Sequence, residues 1–325
     1  MEDNKTDLEN IAENCNLFDE SDVSSTIKKI AALEEKYTYK ELIKIYNYFL
    51  SVCKNPEILM HIIRFADRFR DKSTLDFLLD ILLMKNFTSE DICLKEMYIN
   101  LRVMCTKAIA NYKDTSAVTP LLYCLNNKDE NYKIRLACAD ALGRIGDKYA
   151  VVPLIELVKD EDEKSVYVRE SAASALGMLG DIRAVDPLVS ILEAQKGIWN
   201  KFTFLKERVI EALGKLRVDD NERVFNALKN SLEDESAQIR INAIEAIMES
   251  DNPHAAETIK TCLKDNDDEV KKNALIALYN ITGRQILDEV INETCYSDIL
   301  KMEAVSLIEE YETEAQTSCK EDNNG

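Results

Sequence analysis

A ten-residue pattern returns seven times along this chain, and that periodicity constrains the fold more than any other feature. Its clearest copy reads Ile134-Arg135-Leu136-Ala137-Cys138-Ala139-Asp140-Ala141-Leu142-Gly143. It recurs from Val168-Arg169 to Leu176-Gly177, from Leu205-Lys206 to Leu213-Gly214, from Ile239-Arg240 to Ile247-Met248 and from Val270-Lys271 to Leu278-Tyr279. An earlier copy runs from Leu101-Arg102 to Ile109-Ala110, and a weaker last one from Leu300-Lys301 to Ile308. Successive basic residues stand 33, 34, 37, 34, 31 and 30 positions apart, a period typical of stacked repeats.

Within a copy, apolar residues stand one before the basic position and three and seven after it. Ile134, Cys138 and Leu142 show the spacing, which is one face of a helix. Six residues after the basic position comes alanine in six copies (Ala108, Ala141, Ala175, Ala212, Ala246 and Ala277), with Leu307 in the last. A small residue recurring on a buried face lets a neighbouring helix approach closely. Gly146 and Gly180 can end this helix in a left-handed cap, and Asp147 and Asp181 stand where a second helix needs its N-cap.

That second helix reads Ala150-Val151-Val152-Pro153-Leu154 and Ala184-Val185-Asp186-Pro187-Leu188. Pro120, Pro153 and Pro187 are 33 and 34 residues apart, and proline is tolerated near a helix start. Neither helix can bury its apolar stripe alone, so the pairs must stack. The fold expected is all-α: one continuous right-handed α-solenoid of about seven to nine helical pairs. Upstream, helices are predicted over Ser25–Lys36, Tyr39–Cys53, Glu57–Arg70 and Thr74–Met84. The organisation expected is an acidic, mobile tail over residues 1–22, degenerate cap repeats over 23–96, the repeat array over 97–311 and a second acidic, mobile tail over 312–325.

The run A-L-G-x-x-G-D-x-x-A-V-x-P-L, present from Ala141 to Leu154 and from Ala175 to Leu188, resembles the short HEAT-like repeat of the phycobiliprotein-lyase type. The resemblance covers Leu101–Gly283 well and the flanks weakly. Ankyrin repeats fit less well, since Thr119-Pro120-Leu121-Leu122 lacks the expected histidine. Tetratricopeptide repeats want a tryptophan that this chain has only at Trp199, in a loop. The resemblance is specific for fold and poor for function.

Charge and cysteine usage narrow the function classes. Acids outnumber bases 60 to 41, for a net charge of −19, so a nucleic-acid binder relying on a basic surface is excluded. Residues 1–22 carry eight acids and Lys5, and residues 309–325 six acids and Lys320. The nine cysteines are scattered without C-x-x-C spacing, which suits a reducing compartment. The first residues, MEDNKTDLEN, have neither the basic start nor the apolar run of a signal peptide. The most apolar stretch, Leu75 to Met84, is interrupted by Asp76 and Asp80 and is too short to span a bilayer. The expectation is a cytoplasmic chain with no membrane partner.

HEAT-like proteins include enzymes, so their residues can be sought here. Deoxyhypusine hydroxylases resemble this architecture and hold two irons with His-Glu pairs. The two histidines here, His61 and His254, are followed by Ile62 and Ala255. HEAT-like alkylpurine DNA glycosylases use a basic surface with interleaved aromatics, which this chain lacks. It also lacks a phosphate-binding loop, a nucleophile elbow and a dinucleotide fingerprint. Bilin lyases, which attach or detach an open-chain tetrapyrrole on a partner protein, resemble these repeats and give the alternative reading, although nothing here identifies a bilin pocket. No cofactor or metal is expected. The expected function is a non-enzymatic scaffold or adaptor that binds a partner protein of unknown identity along the solenoid surface.

Two sets of residues carry that expectation. The recurring bases Arg102, Arg135, Arg169, Lys206, Arg240 and Lys271 read as a structural ladder, with Asp129, Asp162, Asp234 and Asp268 as candidate acids. The long spacing between Arg169 and Lys206 holds an insertion, Ala194 to Phe204, where Trp199, Phe202 and Phe204 are candidate partner anchors. Exposed second-helix positions such as Glu156, Ser190, Asn226, Lys229, Glu257 and Lys260 are mixed polar, which predicts a polar, partly charged partner.

Overall fold

A computed structural model of the chain describes residues 2–18, 22–84, 91–194, 203–216, 221–250 and 252–321. Among them there are eighteen α-helices and no strand. The chain divides into two compact units, Met1–Ala175 and Leu176–Gly325, where the periodicity alone predicts one continuous array. In a chain whose repeats touch only their sequence neighbours, such a division can fall inside a repeat, and here it falls within a helix.

The first unit opens with α1 (Glu2–Asn14), α2 (Val23–Ala31), α3 (Tyr39–Val52), α4 (Pro56–Asp67) and α5 (Leu75–Leu82). Each start has a local cause. Thr38 and Glu41 form a capping box at α3, and the Asn55 side chain accepts from the amides of Glu57 and Ile58, with Pro56 in the first turn of α4. An acidic, mobile tail is expected over residues 1–22. Residues 2–14 are helical, and Ala12, Cys15 and Leu17 are buried. Asp7, Glu9 and Glu13 are exposed around this short apolar stripe, which a charge count does not reveal.

The unit continues with α6 (Ile92–Tyr112), α7 (Val118–Asn126), α8 (Tyr132–Ile145), α9 (Val151–Lys159) and most of α10 (Val166–Leu179), whose last turn from Leu176 belongs to the second unit. Leu101, Cys105 and Ile109 of α6 and Ile134, Cys138 and Leu142 of α8 are fully buried; these are the three apolar positions of each copy. The turn between paired helices has one recurrent design. A left-handed residue (Lys113, Gly146 or Gly180) precedes an aspartate whose carboxylate accepts the amide two residues on. That aspartate caps a single 3-10 turn leading directly into the second helix, so the caps Asp147 and Asp181 stand where the sequence places them and the α-helix proper begins one turn later. Arg70 and Asp71 build the same turn ahead of α5.

The second unit holds α11 (Val185–Glu193), α12 (Thr203–Lys215), α13 (Glu222–Ser231), α14 (Ala237–Glu249), α15 (Ala255–Lys260), α16 (Asp268–Thr282), α17 (Gln285–Asn292) and α18 (Asp298–Glu321). Its first helices approach through small residues. A Cβ on Gly177 would fall 2.9 Å from the Cα of Ala212, and one on Gly214 would fall 3.2 Å from the Cβ of Ala246. The recurring alanine is therefore met by the glycine of the preceding copy. Past residue 312, where a second mobile tail is expected, α18 continues to Glu321.

Candidate functional site

The recurring bases are committed inside the repeats. Arg135 donates from Nε to the carbonyl of Leu125, at the end of α7, and from its two terminal nitrogens to both oxygens of Glu163, at 3.0 and 2.6 Å. Arg102 repeats this with the carbonyl of Leu82 and with Glu130. Each such arginine ties the end of one second helix to the turn before the next first helix. The Glu163 carboxylate is buried, which would raise its pKa, but hydrogen bonds from Arg135 and the Ser165 amide hold it below the ordinary glutamate value. Arg169 lies on α10 at 2% exposure, and burial lowers its pKa against the opposing charges of Glu163 and Asp160.

In the second unit Lys206 reaches Asp234 at 3.0 Å, Arg240 grips Asp265 at 2.8 and 2.9 Å, and Lys271 pairs with Asp268 at 2.7 Å. Asp129 and Asp162, two of the acids sequence reasoning singles out, are exposed; the next acid, Glu130 or Glu163, takes the arginine instead. The reason is geometric. The glutamate stands just before the first helix of the next copy, and its longer side chain reaches back under the turn.

Among the described residues, the second helices border open grooves in both units. Between α7 and α9 lies a groove of about 690 Å³ lined by Thr119, Leu122, Tyr123, Asn126, Asn127, Tyr149 and Pro153, none of them charged. Tyr149 is 70% exposed and Tyr123 49%. A smaller adjoining pocket includes Glu156, Lys128 and Asp160, and the last two neutralise each other at 2.6 Å. Between α13 and α15 lies a groove of about 780 Å³ with Phe225, Leu232 and Cys262 among its lining and Glu222, Glu233, Glu257 and Asp265 as its acids.

All six second-helix positions read as exposed are exposed, but they differ in what they can do. Asn226, Lys229 and Glu257 line the α13–α15 groove. Lys260 is engaged by Glu289 at 2.7 Å, and the Ser190 hydroxyl donates to the Asp186 carbonyl. Of the candidate anchors, Trp199 and Phe202 lie outside the described residues, and Phe204 is 67% exposed in the first turn of α12. Sequence reasoning misses Tyr123, although its register marks it: Tyr123 follows Pro120 by the same three residues that separate Glu156 from Pro153 and Ser190 from Pro187.

Burial raises the pKa of the Cys15, Cys105 and Cys262 thiols, which is the behaviour of packing residues. His61 is half-buried on α4, with burial and Arg64 lowering its pKa, while His254 lines the α13–α15 groove. Among the described residues no group of three or more His, Cys, Asp or Glu side chains is placed to hold a metal ion, and no helix is long and apolar enough to cross a membrane.

No curated protein matches the chain. Among solved structures it is similar to the complex of CpcE and CpcF of phycocyanin lyase from Nostoc sp. PCC7120, at 23% identity and a TM-score of 0.44 over 73% of this chain and 87% of that one. It is also similar to human deoxyhypusine hydroxylase, at 15% identity and a TM-score of 0.34 over 85% of this chain and 96% of that one. A third likeness is to an engineered protein, at 18% identity and a TM-score of 0.41 over 64% of this chain and 96% of that one. Two of these structures are of enzymes, a lyase and a hydroxylase, so the expectation that the chain is not an enzyme does not stand. The family model described as HEAT repeats matches residues 90–166, 125–198 and 203–299. With well over half of its length so matched, and with helical pairs of that kind stacked in both units, the chain belongs to the HEAT-repeat family.

Proposed function

We propose that the chain binds a partner protein on the exposed faces of its second helices, with the α7–α9 groove as the principal contact. The observation that carries this reading is the solvent exposure of two tyrosines in one uncharged concavity, Tyr149 at 70% and Tyr123 at 49%. Large amphipathic rings around an apolar pocket are typical interface anchors, because they bury much area with few rotatable bonds. Arg102 and Arg135 take no part, since their guanidinium groups are turned inward to Glu130 and Glu163. Phe204, exposed at the start of α12, is a second candidate anchor, together with Trp199 and Phe202. The six buried thiols among the described cysteines support a reducing compartment.

The test is affinity capture from native lysate at moderate salt, read by mass spectrometry. It compares wild type with Tyr123→Ala plus Tyr149→Ala and with Trp199→Ala plus Phe202→Ala. A partner recovered in near-equal molar amount should be lost with the tyrosine pair while the thermal midpoint is unchanged, since each anchor contributes about 1–2 kcal/mol or more. Equal recovery with the tyrosine variant removes the groove from the interface.

A further inference from the structure

We infer that the α13–α15 groove is a docking site for a basic segment of a partner protein, seated by an apolar side chain against Phe225 and Leu232. The inference rests on the protein-binding reading above and adds the chemistry of what is bound. Four carboxylates line the groove against one lysine, Lys229. Asp265 is already held by Arg240 at 2.8 Å. The other three, Glu222, Glu233 and Glu257, make no ion pair among the described residues.

Neighbouring second-helix acids behave differently. Arg223 neutralises both Asp186 and Glu193, at 2.9 and 2.7 Å, and Lys260 neutralises Glu289. Arg223 and Lys260 thus pair with acids of adjacent repeats, whereas the groove gathers three acids that have no ion pair among the described residues. A concavity lined by one sign of charge focuses the field on a counter-charged ligand. Phe225 and Leu232 are half-buried and Cys262 is buried, so the pocket also offers an apolar seat. Its volume of about 780 Å³ is enough for a few side chains. Asn226, with one amide acceptor and two donors, lines the same groove and can bond an extended backbone. Charge, an apolar seat and an amide together specify a peptide of lysine or arginine flanking one apolar residue.

The experiment uses the full chain and a fluorescein-labelled peptide, capped Gly-Lys-Arg-Leu-Lys-Gly, with a counterpart carrying glutamate at the three basic positions. Fluorescence anisotropy is read at low and at moderate salt. Wild type should bind the basic peptide and not the acidic one. Glu222→Gln with Glu233→Gln and Glu257→Gln should weaken binding about tenfold or more. A charge-matched control in the first unit, Glu35→Gln with Asp76→Asn and Asp80→Asn, should stay within about twofold of wild type, because none of these acids lines the groove. Phe225→Ala should weaken binding at both salt concentrations. An unbound basic peptide, or equal weakening by the groove and control variants, overturns the docking site. Either result leaves the reading of the α7–α9 groove intact as long as partner capture still depends on Tyr123 and Tyr149. That reading falls on its own if capture ignores those tyrosines.

Discussion

The two units use one repeat plan with opposite chemistry inside and out. In the first, the rungs join arginine to glutamate with two parallel hydrogen bonds, and the Arg135–Glu163 side chains are only 4% and 1% exposed. In the second, Arg240 grips Asp265 with two hydrogen bonds at 14% and 13% exposure, but Lys206–Asp234 is 15% and 21% exposed and Lys271–Asp268 is 16% and 49% exposed. The surfaces reverse this order. The α7–α9 groove is lined by uncharged residues with two tyrosines, whereas the α13–α15 groove keeps three carboxylates with no ion pair among the described residues. A repeat register therefore prescribes where a base stands, but the length and shape of its acid partner decide how dry the rung can be. The outward positions are free of that constraint and differ from unit to unit.

The largest expected effect follows from the dry rung. Arg135→Ala leaves Glu163 buried without its partner and should cost the first unit about 3–5 kcal/mol, whereas Lys206→Ala in the second should cost about 1 kcal/mol. The double variant Arg135→Met with Glu163→Leu should recover most of the loss, because it removes both buried charges. Hydrogen exchange of α8 and α12 amides separates the two units, which a single global melt of a repeat protein does not. Equal losses at Arg135 and Lys206 would break the contrast between them.

A smaller effect tests how the second unit is held. Gly177→Ala drives a methyl group to 2.9 Å from the Ala212 backbone, while Gly214→Ala meets the Ala246 methyl at 3.2 Å and its Cα at 3.3 Å. The first should cost about 1–3 kcal/mol and the second less, as read by urea unfolding. If the two are equally mild, the helices can slide apart and their close approach is not what holds them.

The turns give a substitution of opposite sign and show how far the sequence could be read. Gly146 takes the left-handed conformation at φ +86, and Lys113 occupies the equivalent turn at φ 50. A side chain there costs about 1–2 kcal/mol before the entropy of glycine is counted. Lys113→Gly should therefore stabilise the chain by about 0.5–1 kcal/mol, and Gly146→Ala should destabilise it by about as much. The same substitution of a bulky residue at a left-handed position, Arg70 ahead of Asp71, explains why the turn before α5 escapes a pattern built on glycine. What is legible is whatever the backbone demands of every copy: the apolar positions 134, 138 and 142, the small residue at 141, the proline at 153. The choice of Glu163 over Asp162 is not, because one-residue differences in reach are invisible to periodicity. Nor is the apolar stripe of α1, where Ala12, Cys15 and Leu17 stand among acids. Tyr123 was open to the reading, since its register position is already marked as outward by Glu156 and Ser190.

The finest contrast is in proton linkage. In the first unit, Asp114 accepts the Ser116 amide and a hydrogen bond from Lys72, and its pKa falls from the ordinary value to about 2; Glu163 is also held low. A carboxylate held low in the folded state adds stability above its unfolded pKa and loses it as pH falls through the folded one. The first unit should therefore only lose stability as the solution is acidified below the carboxylate range. The second unit has two carboxylates shifted the other way. Burial raises Glu207, with Glu211 adding to it and Arg208 opposing it, and burial together with Glu249 and Glu211 raises Glu245. Their folded forms bind protons more readily than the unfolded chain, so stability rises as pH drops through their raised values, before Asp265 and Glu193, held low, begin to cost it. Glu207→Gln removes one of the two terms. It should stabilise the second unit at neutral pH by at most about 1 kcal/mol, and the gain should vanish on mild acidification, when wild-type Glu207 takes up its proton. Hydrogen exchange of α12 and α14 amides at two pH values measures this. A gain that persists unchanged at the lower pH would mean that the glutamine simply packs better, and that the charge of Glu207 is not a strain on the folded state.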